Sequence, residues 1–250
     1  MSLTNKNILL TGAIGSLGVA QAEALSRENP ATLFILDRPD AESMTKGNAL
    51  AKRLGKNVRY VGLDLDDLAE SKKVVEQLSK EVGGIDVLIN NAALIINRPF
   101  QEFSLEEYEE QMRVNAGSAF ALVQACAPDM RRKKYGKIIN LCSVTLKGVL
   151  DGYVPYVASK GAILGLTKSL ARELGPDNIS VNCISPGAIV SESEARVFGY
   201  KAKEYNDWVI DKQCLKTRIH PEHVANLIVF LSGPKSDYIT AQNIGIDAGW

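Results

Sequence analysis

Short, largely apolar runs separated by stretches of helical spacing set the tightest limit on what this chain can fold into. Residues 8–11, 32–36, 58–63, 86–89, 137–141, 179–184 and 243–247 are such runs. Between them, apolar residues recur three and four apart over 19–25, 41–54, 67–82, 105–132, 153–174 and 221–231. A strand that is apolar at every position is buried on both faces, so a layer of helices must cover each side. Strands that alternate with helices run parallel, because each helix returns the chain to the starting edge. The expected fold is α/β: a doubly wound parallel sheet of about seven strands flanked by helices.

No Pro-, Gly- or Ser-rich linker and no internal repeat interrupts the alternation. One continuous sheet accommodates 250 residues, so residues 1–250 are expected to form a single domain. One segment departs from the rhythm. Residues 191–217 are polar and aromatic by turns, with Phe198, Tyr200, Tyr205 and Trp208 and no strand pattern; an insert of that length reads as a substrate lid. Basic and acidic residues number 29 each, so no overall field favours nucleic acid or an anionic membrane, and a small-molecule partner is expected. The absence of a basic, apolar leader pattern and of any membrane-length apolar stretch points to the cytoplasm. Cys126, Cys142, Cys183 and Cys214 are far apart, which suggests reduced, mostly buried thiols. His220 and His223 flank Pro221-Glu222 with no cysteine nearby. They read as a helix start, and no metal site is expected.

Directly after the first apolar run comes Thr11-Gly12-Ala13-Ile14-Gly15-Ser16-Leu17-Gly18, which opens into a helix. Glycines there let the backbone turn sharply and approach a pyrophosphate, whose charge the helix N-terminus stabilises. Asp37 ends the second run, at the position from which a carboxylate accepts hydrogen bonds from adenosine ribose hydroxyls and repels a 2′-phosphate. NAD is therefore expected over NADP, although the adjacent Arg38 offers a partner to a 2′-phosphate. Together these features describe a dinucleotide-binding Rossmann fold.

At this point the chain resembles the short-chain dehydrogenase/reductase family over nearly its whole length. The glycine loop is similar to the family's Thr-Gly-x-x-x-Gly-x-Gly, with Ser16 where the middle glycine falls and Gly15 one place early. Asn90-Asn91-Ala92-Ala93 resembles the family's Asn-Asn-Ala-Gly, with Ala93 in place of the glycine. Ser185-Pro186-Gly187-Ala188-Ile189-Val190-Ser191 resembles the segment that touches nicotinamide, Ser191 standing where threonine is usual. The resemblance implies a cofactor site of Gly12, Ser16, Leu17, Gly18, Asp37, Asp64, Leu65, Asn91, Ala92, Pro186, Gly187, Ile189 and Ser191, completed by Tyr156 and Lys160. It also implies a homotetramer joined through the helices at 105–132 and 153–174. Ala162, Ile163, Leu166 and Leu170 of the second helix read as surplus apolar surface.

The chemistry centres on Tyr156-Val157-Ala158-Ser159-Lys160, where a spacing of four puts phenol and ammonium on one helix face. A neighbouring cation is expected to lower the phenol's pKa from about 10 toward a useful range for acid–base work. Ser143, at the end of a strand, is expected to donate to the substrate oxygen, and Asn115 to hold a water that relays protons to Lys160. In order and context Asn115, Ser143, Tyr156 and Lys160 match the family's catalytic tetrad, and the resemblance gives Lys160 a second role at the nicotinamide ribose. Ile95, Thr145 and Tyr153 are expected at the substrate. The reading is an NAD-dependent oxidoreductase of a secondary alcohol and its ketone. The alternatives are an NADPH-dependent carbonyl reductase of the 3-oxoacyl type and, against the intact tetrad, a non-catalytic dinucleotide sensor.

Overall fold

The computed structural model describes residues 3–148 and 150–250. Seven strands form one sheet in the order β3-β2-β1-β4-β5-β6-β7, every neighbouring pair parallel. They are β1 Asn7–Thr11, β2 Thr32–Asp37, β3 Val58–Gly62, β4 Val87–Asn90, β5 Gly136–Leu141, β6 Ile179–Pro186 and β7 Asn243–Ile246. The helices between them are α1 Ser16–Ser26, α2 Ala41–Leu54, α3 Leu68–Glu81, α4 Leu105–Met112, α5 Ser118–Lys133, α6 Val154–Leu174, α7 Glu192–Phe198, α8 Ala202–Lys212 and α9 Pro221–Ser232.

Period-two alternation along the apolar strands builds two cores. Ile8, Leu10, Leu33, Ile35, Val87 and Ile89 face one side, where residues of α1, α2 and α9 meet them. Leu9, Phe34, Leu36, Leu88 and Ile138 face the other, against α3, α5 and α6. Because the chain runs from β1 outward to β3 and then crosses to β4, the carboxyl ends of β1 and β4 diverge and leave a crevice between their loops.

Helix starts follow the sequence closely. The side chains of Asp40 and Asp67 cap α2 and α3, and Ser104 with Glu107 closes a capping box on α4. The His220 backbone donates to His223 Nδ1 (3.0 Å) at the start of α9, in keeping with the helix-start reading of the histidine pair. By contrast, α1 begins after Gly15 with no side-chain cap, which leaves its first amides facing the crevice mouth.

Two segments gain detail and one expectation needs correction. The helix over 105–132 is not continuous: a π-helical turn at Arg113–Gly117 separates α4 from α5. The segment 191–217 contains two helices, α7 and α8, and the Ser191-x-x-Glu194 spacing is a readable start signal, since Ser191 accepts from the Glu194 amide. Finally, Ile163 is buried, and Leu166 and Leu170 pack partly against the cores, so this stripe of α6 is not surplus surface.

Candidate active site

Three elements converge at the carboxyl end of the sheet. Strand β5 ends at Leu141, and Ser143 starts a 3-10 turn, Val144–Lys147, in extended conformation. The Ser143 hydroxyl oxygen accepts from the Thr145 amide (3.1 Å) and the Thr145 hydroxyl (2.9 Å). With its acceptor side engaged, the hydroxyl hydrogen is free to be donated. Tyr156 and Lys160, one turn apart on α6, are both buried, at 8% and 2% exposure. The Ser143 hydroxyl lies close enough to the Tyr156 phenol to favour the phenolate, and Lys160 Nζ lies 5.4 Å from the Tyr156 ring centroid while donating to the Leu141 carbonyl at 2.7 Å.

The electrostatics differ from the expected lowering of the phenol pKa. Burial pushes the Tyr156 phenol up to about 12, the nearby Ser143 hydroxyl pulling in the opposite direction. Burial also pulls the Lys160 ammonium down to about 8. Both groups have lost water, and for each the loss outweighs its partner's help.

Asn115 sits within the π-helical turn, where the extra residue swings its side chain out of the helix ladder. Its Oδ1 accepts from the Leu94 amide (2.6 Å), and its Nδ2 donates to the Leu94 carbonyl (3.0 Å) and the Ser159 hydroxyl (2.9 Å). Both amide hydrogens are used, so the side chain has none left to donate to a relay water. It ties the loop after β4 to α6. Ser159, which sequence reasoning passed over, donates in turn to the Tyr156 carbonyl at 2.7 Å. Its place three residues after Tyr156, where a serine hydroxyl bonds back along its own helix, was the available signal.

Across the crevice, Gly12 has φ +66°, and a Cβ on it would lie 2.7 Å from the Ala92 Cα. A Cβ on Gly18 would lie 2.0 Å from the Gly12 carbonyl oxygen, so α1 can pack this close only with glycine there. Asn91 spans the same junction, its Nδ2 donating to the carbonyls of Thr11 (2.9 Å) and Gly12 (3.0 Å) and its Oδ1 accepting from Gln21 (2.8 Å). The Thr11 hydroxyl accepts from the amides of Asn91 and Ala92. Asp37 leans toward the loop: its carboxylate accepts from the amides of Ile14 (3.0 Å) and Arg38 (2.9 Å). The Arg38 side chain is largely exposed, 3.9 Å from Asp40. Asp64 is exposed and its carboxylate accepts from the Asp66 amide, while Leu65 beside it is buried. Ser16 reaches over the mouth, where its hydroxyl accepts from the Glu192 amide (3.2 Å) at the start of α7. Pro186, Gly187, Ile189 and Ser191 line the chain from β6 into α7, and Gly187 packs against Asp247.

The family model described as enoyl-(acyl carrier protein) reductase matches residues 12–250 of this chain. A probable galactose dehydrogenase of Rhizobium meliloti is 31% identical over 99% of this chain and 95% of its own. The chain is a short-chain dehydrogenase/reductase. Another member, the galactitol 2-dehydrogenase of Agrobacterium fabrum, is 34% identical over all of this chain and 98% of its own. A solved gluconate 5-dehydrogenase of Burkholderia cenocepacia, in complex with NADP and tartrate, superposes with a TM-score of 0.90 at 27% identity, covering 99% and 95% of the two chains. This short-chain dehydrogenase/reductase is accordingly a nicotinamide-dinucleotide-dependent oxidoreductase acting on CH–OH groups.

Its residues fit such a cofactor: the uncapped helix start faces the glycine turn, and the space a Cβ would fill at Gly12 and Gly18 is what allows that turn. In this short-chain dehydrogenase/reductase a cavity of about 570 Å³ is bounded by Thr145 and Tyr153 together with Asn97, Arg98, Phe100 and Asp151. Tyr153 is set edge-on to Tyr156 with ring centroids 6.1 Å apart. Ile95 does not border this cavity and is 44% exposed. In α7 and α8, Tyr205 stacks on Phe198 at 3.8 Å and approaches Trp208 at 5.9 Å, and Trp208 meets Trp250 at 5.2 Å. No helix among the described residues is long and apolar enough to cross a membrane.

Proposed function

We propose that this protein catalyses the reversible, NAD-linked oxidation of a secondary alcohol to its ketone, with Tyr156 as acid and base and Lys160, Ser143 and Asn115 in support. The observation that carries the reading is the contact between the Tyr156 phenol and the Ser143 hydroxyl, with Lys160 buried behind the ring. Nicotinamide supplies one service when bound: it accepts or returns the hydride on the carbinol carbon. In oxidation Tyr156, as phenolate, takes the hydroxyl proton, and in reduction its phenol gives that proton back to the developing alkoxide. Ser143 donates to the same oxygen and stabilises its charge in either direction. Asn115 acts at a distance, through Ser159, by holding α6 against the loop after β4. The segment from Ser191 onward acts as a substrate lid, and the Phe198, Tyr205 and Trp208 cluster excludes water beneath it.

The preference for NAD rests on Asp37. Its carboxylate, fixed by two backbone amides at the end of β2, disfavours a 2′-phosphate. A second reading, NADP use, is favoured by the exposed Arg38 beside it and by the NADP held by the gluconate 5-dehydrogenase. Titrating NADH and NADPH against tryptophan fluorescence separates the two, with tighter NADH binding expected. In parallel, Tyr156→Phe is expected to bind the cofactor as the parent does while kcat falls at least about 10²-fold, the lower range for a lost acid–base group. Retained kcat in Tyr156→Phe would remove the tyrosine from the mechanism.

A further inference from the structure

Three of the cations at the carboxyl end of the sheet are already held by carboxylates. Arg98, on the cavity wall, pairs with Glu107 at 2.7 Å. Lys147, which closes the turn begun by Ser143, pairs with Asp247 at 2.7 Å. Arg218, reaching back to the Ala188 carbonyl, pairs with Glu194 at 2.5 Å, the two side chains being only 13% and 16% exposed. Arg196 lies on the exposed side of α7, bonded to Ser193, and Lys160 is committed to the Leu141 carbonyl. A substrate carboxylate would have to displace one of these carboxylates and leave it unpaired and partly desolvated.

The one charge on the cavity wall without an ion-pair partner among the described residues is negative: Asp151. Its carboxylate lies close enough to Tyr153 to raise that phenol, after the larger effect of burial. An ionised carboxylate is an acceptor only, with two oxygens spaced to take hydrogen bonds from two neighbouring hydroxyls. Asn97, Gln101 and Thr145 add neutral hydrogen-bonding groups to the same wall.

We propose that the substrate is an uncharged polyol or sugar, recognised through two adjacent hydroxyls by the Asp151 carboxylate, and that sugar acids are excluded. This inference rests on the oxidoreductase reading above. The test compares matched pairs, galactitol against galactonate and xylitol against xylonate, with cyclohexanol as an apolar secondary alcohol, by following reduced-cofactor formation with saturating NAD or NADP. The neutral member of each pair is expected to have at least a tenfold higher kcat/KM. Asp151→Asn, at an exposed position, is expected to narrow that ratio at least tenfold, with NADH affinity by tryptophan fluorescence unchanged. Faster turnover of the acids, turnover of cyclohexanol alone, or an unchanged ratio in Asp151→Asn would each overturn the inference and leave the oxidoreductase reading standing. Turnover of none of these compounds in a protein that binds cofactor would overturn both.

Discussion

At the residue scale, Lys160 joins burial to a measurable pH dependence. Its ammonium titrates near pH 8 in the folded protein and near about 10.4 in an unfolded chain. Below pH 8 both states carry the proton, and the cost of burying the charge is fully present and constant. Between about 8 and 10.4 the folded state gives up its proton first, so the unfolded state binds more protons and stability rises with pH. Urea denaturation of the parent and of Lys160→Met across that window is expected to show the parent gaining, relative to the variant, on the order of 3 kcal/mol at most. A parallel pair of curves would place the Lys160 pKa at its ordinary value. The Tyr156 phenol, held near 12, stays protonated at neutral pH and is poised as an acid, so oxidation is expected to rise toward alkaline pH as reduction falls.

At the element scale, the π-helical turn decides where Asn115 acts. A continuous α-helix from 105 to 132 would keep its side chain in register with its neighbours, whereas the extra residue points it at Leu94 and Ser159. Asn115→Leu keeps the approximate volume but leaves the Leu94 amide and carbonyl and the Ser159 hydroxyl short of a partner in a buried setting. The expected loss is about 2–4 kcal/mol of stability, read by urea denaturation, because unpaired buried groups cost about 1–3 kcal/mol each and some find water. A fall in kcat larger than any change in NADH affinity should accompany it. A variant as stable as the parent would show that the tie between the β4 loop and α6 is not structural. The segment 191–217 follows a different logic: α7 and α8 have few buried residues, so their packing on Trp250 and Arg218 depends on contacts far apart in sequence.

At the scale of the whole molecule, a single protomer leaves apolar residues in water on the helices that the family resemblance assigns to subunit contact. Leu105 is 77% exposed, Tyr108 40%, Phe120 46% and Val154 56%. These lie on α4, α5 and the start of α6, and they replace Ile163, Leu166 and Leu170 as the surface that a homotetramer would cover. Sedimentation velocity at micromolar concentration is expected to give a tetramer for the parent and smaller species for Phe120→Glu; a monomeric parent would end the proposal. What the sequence determined by itself was whatever depends on local pattern. Largely apolar runs specify buried parallel strands, Thr11 to Gly18 specifies a turn that tolerates no Cβ at its ends, and the spacing of Tyr156 and Lys160 puts both on one helix face. Tertiary structure alone decided the rest, because it depends on which distant groups meet and how much water they lose. Burial raised the Tyr156 pKa against the expected lowering and lowered that of Lys160, and the side-chain partners of Asn115 made it a tie between the β4 loop and α6. The pairing of Arg98, Lys147 and Arg218 with carboxylates up to a hundred residues away left Asp151 to set the charge of the pocket.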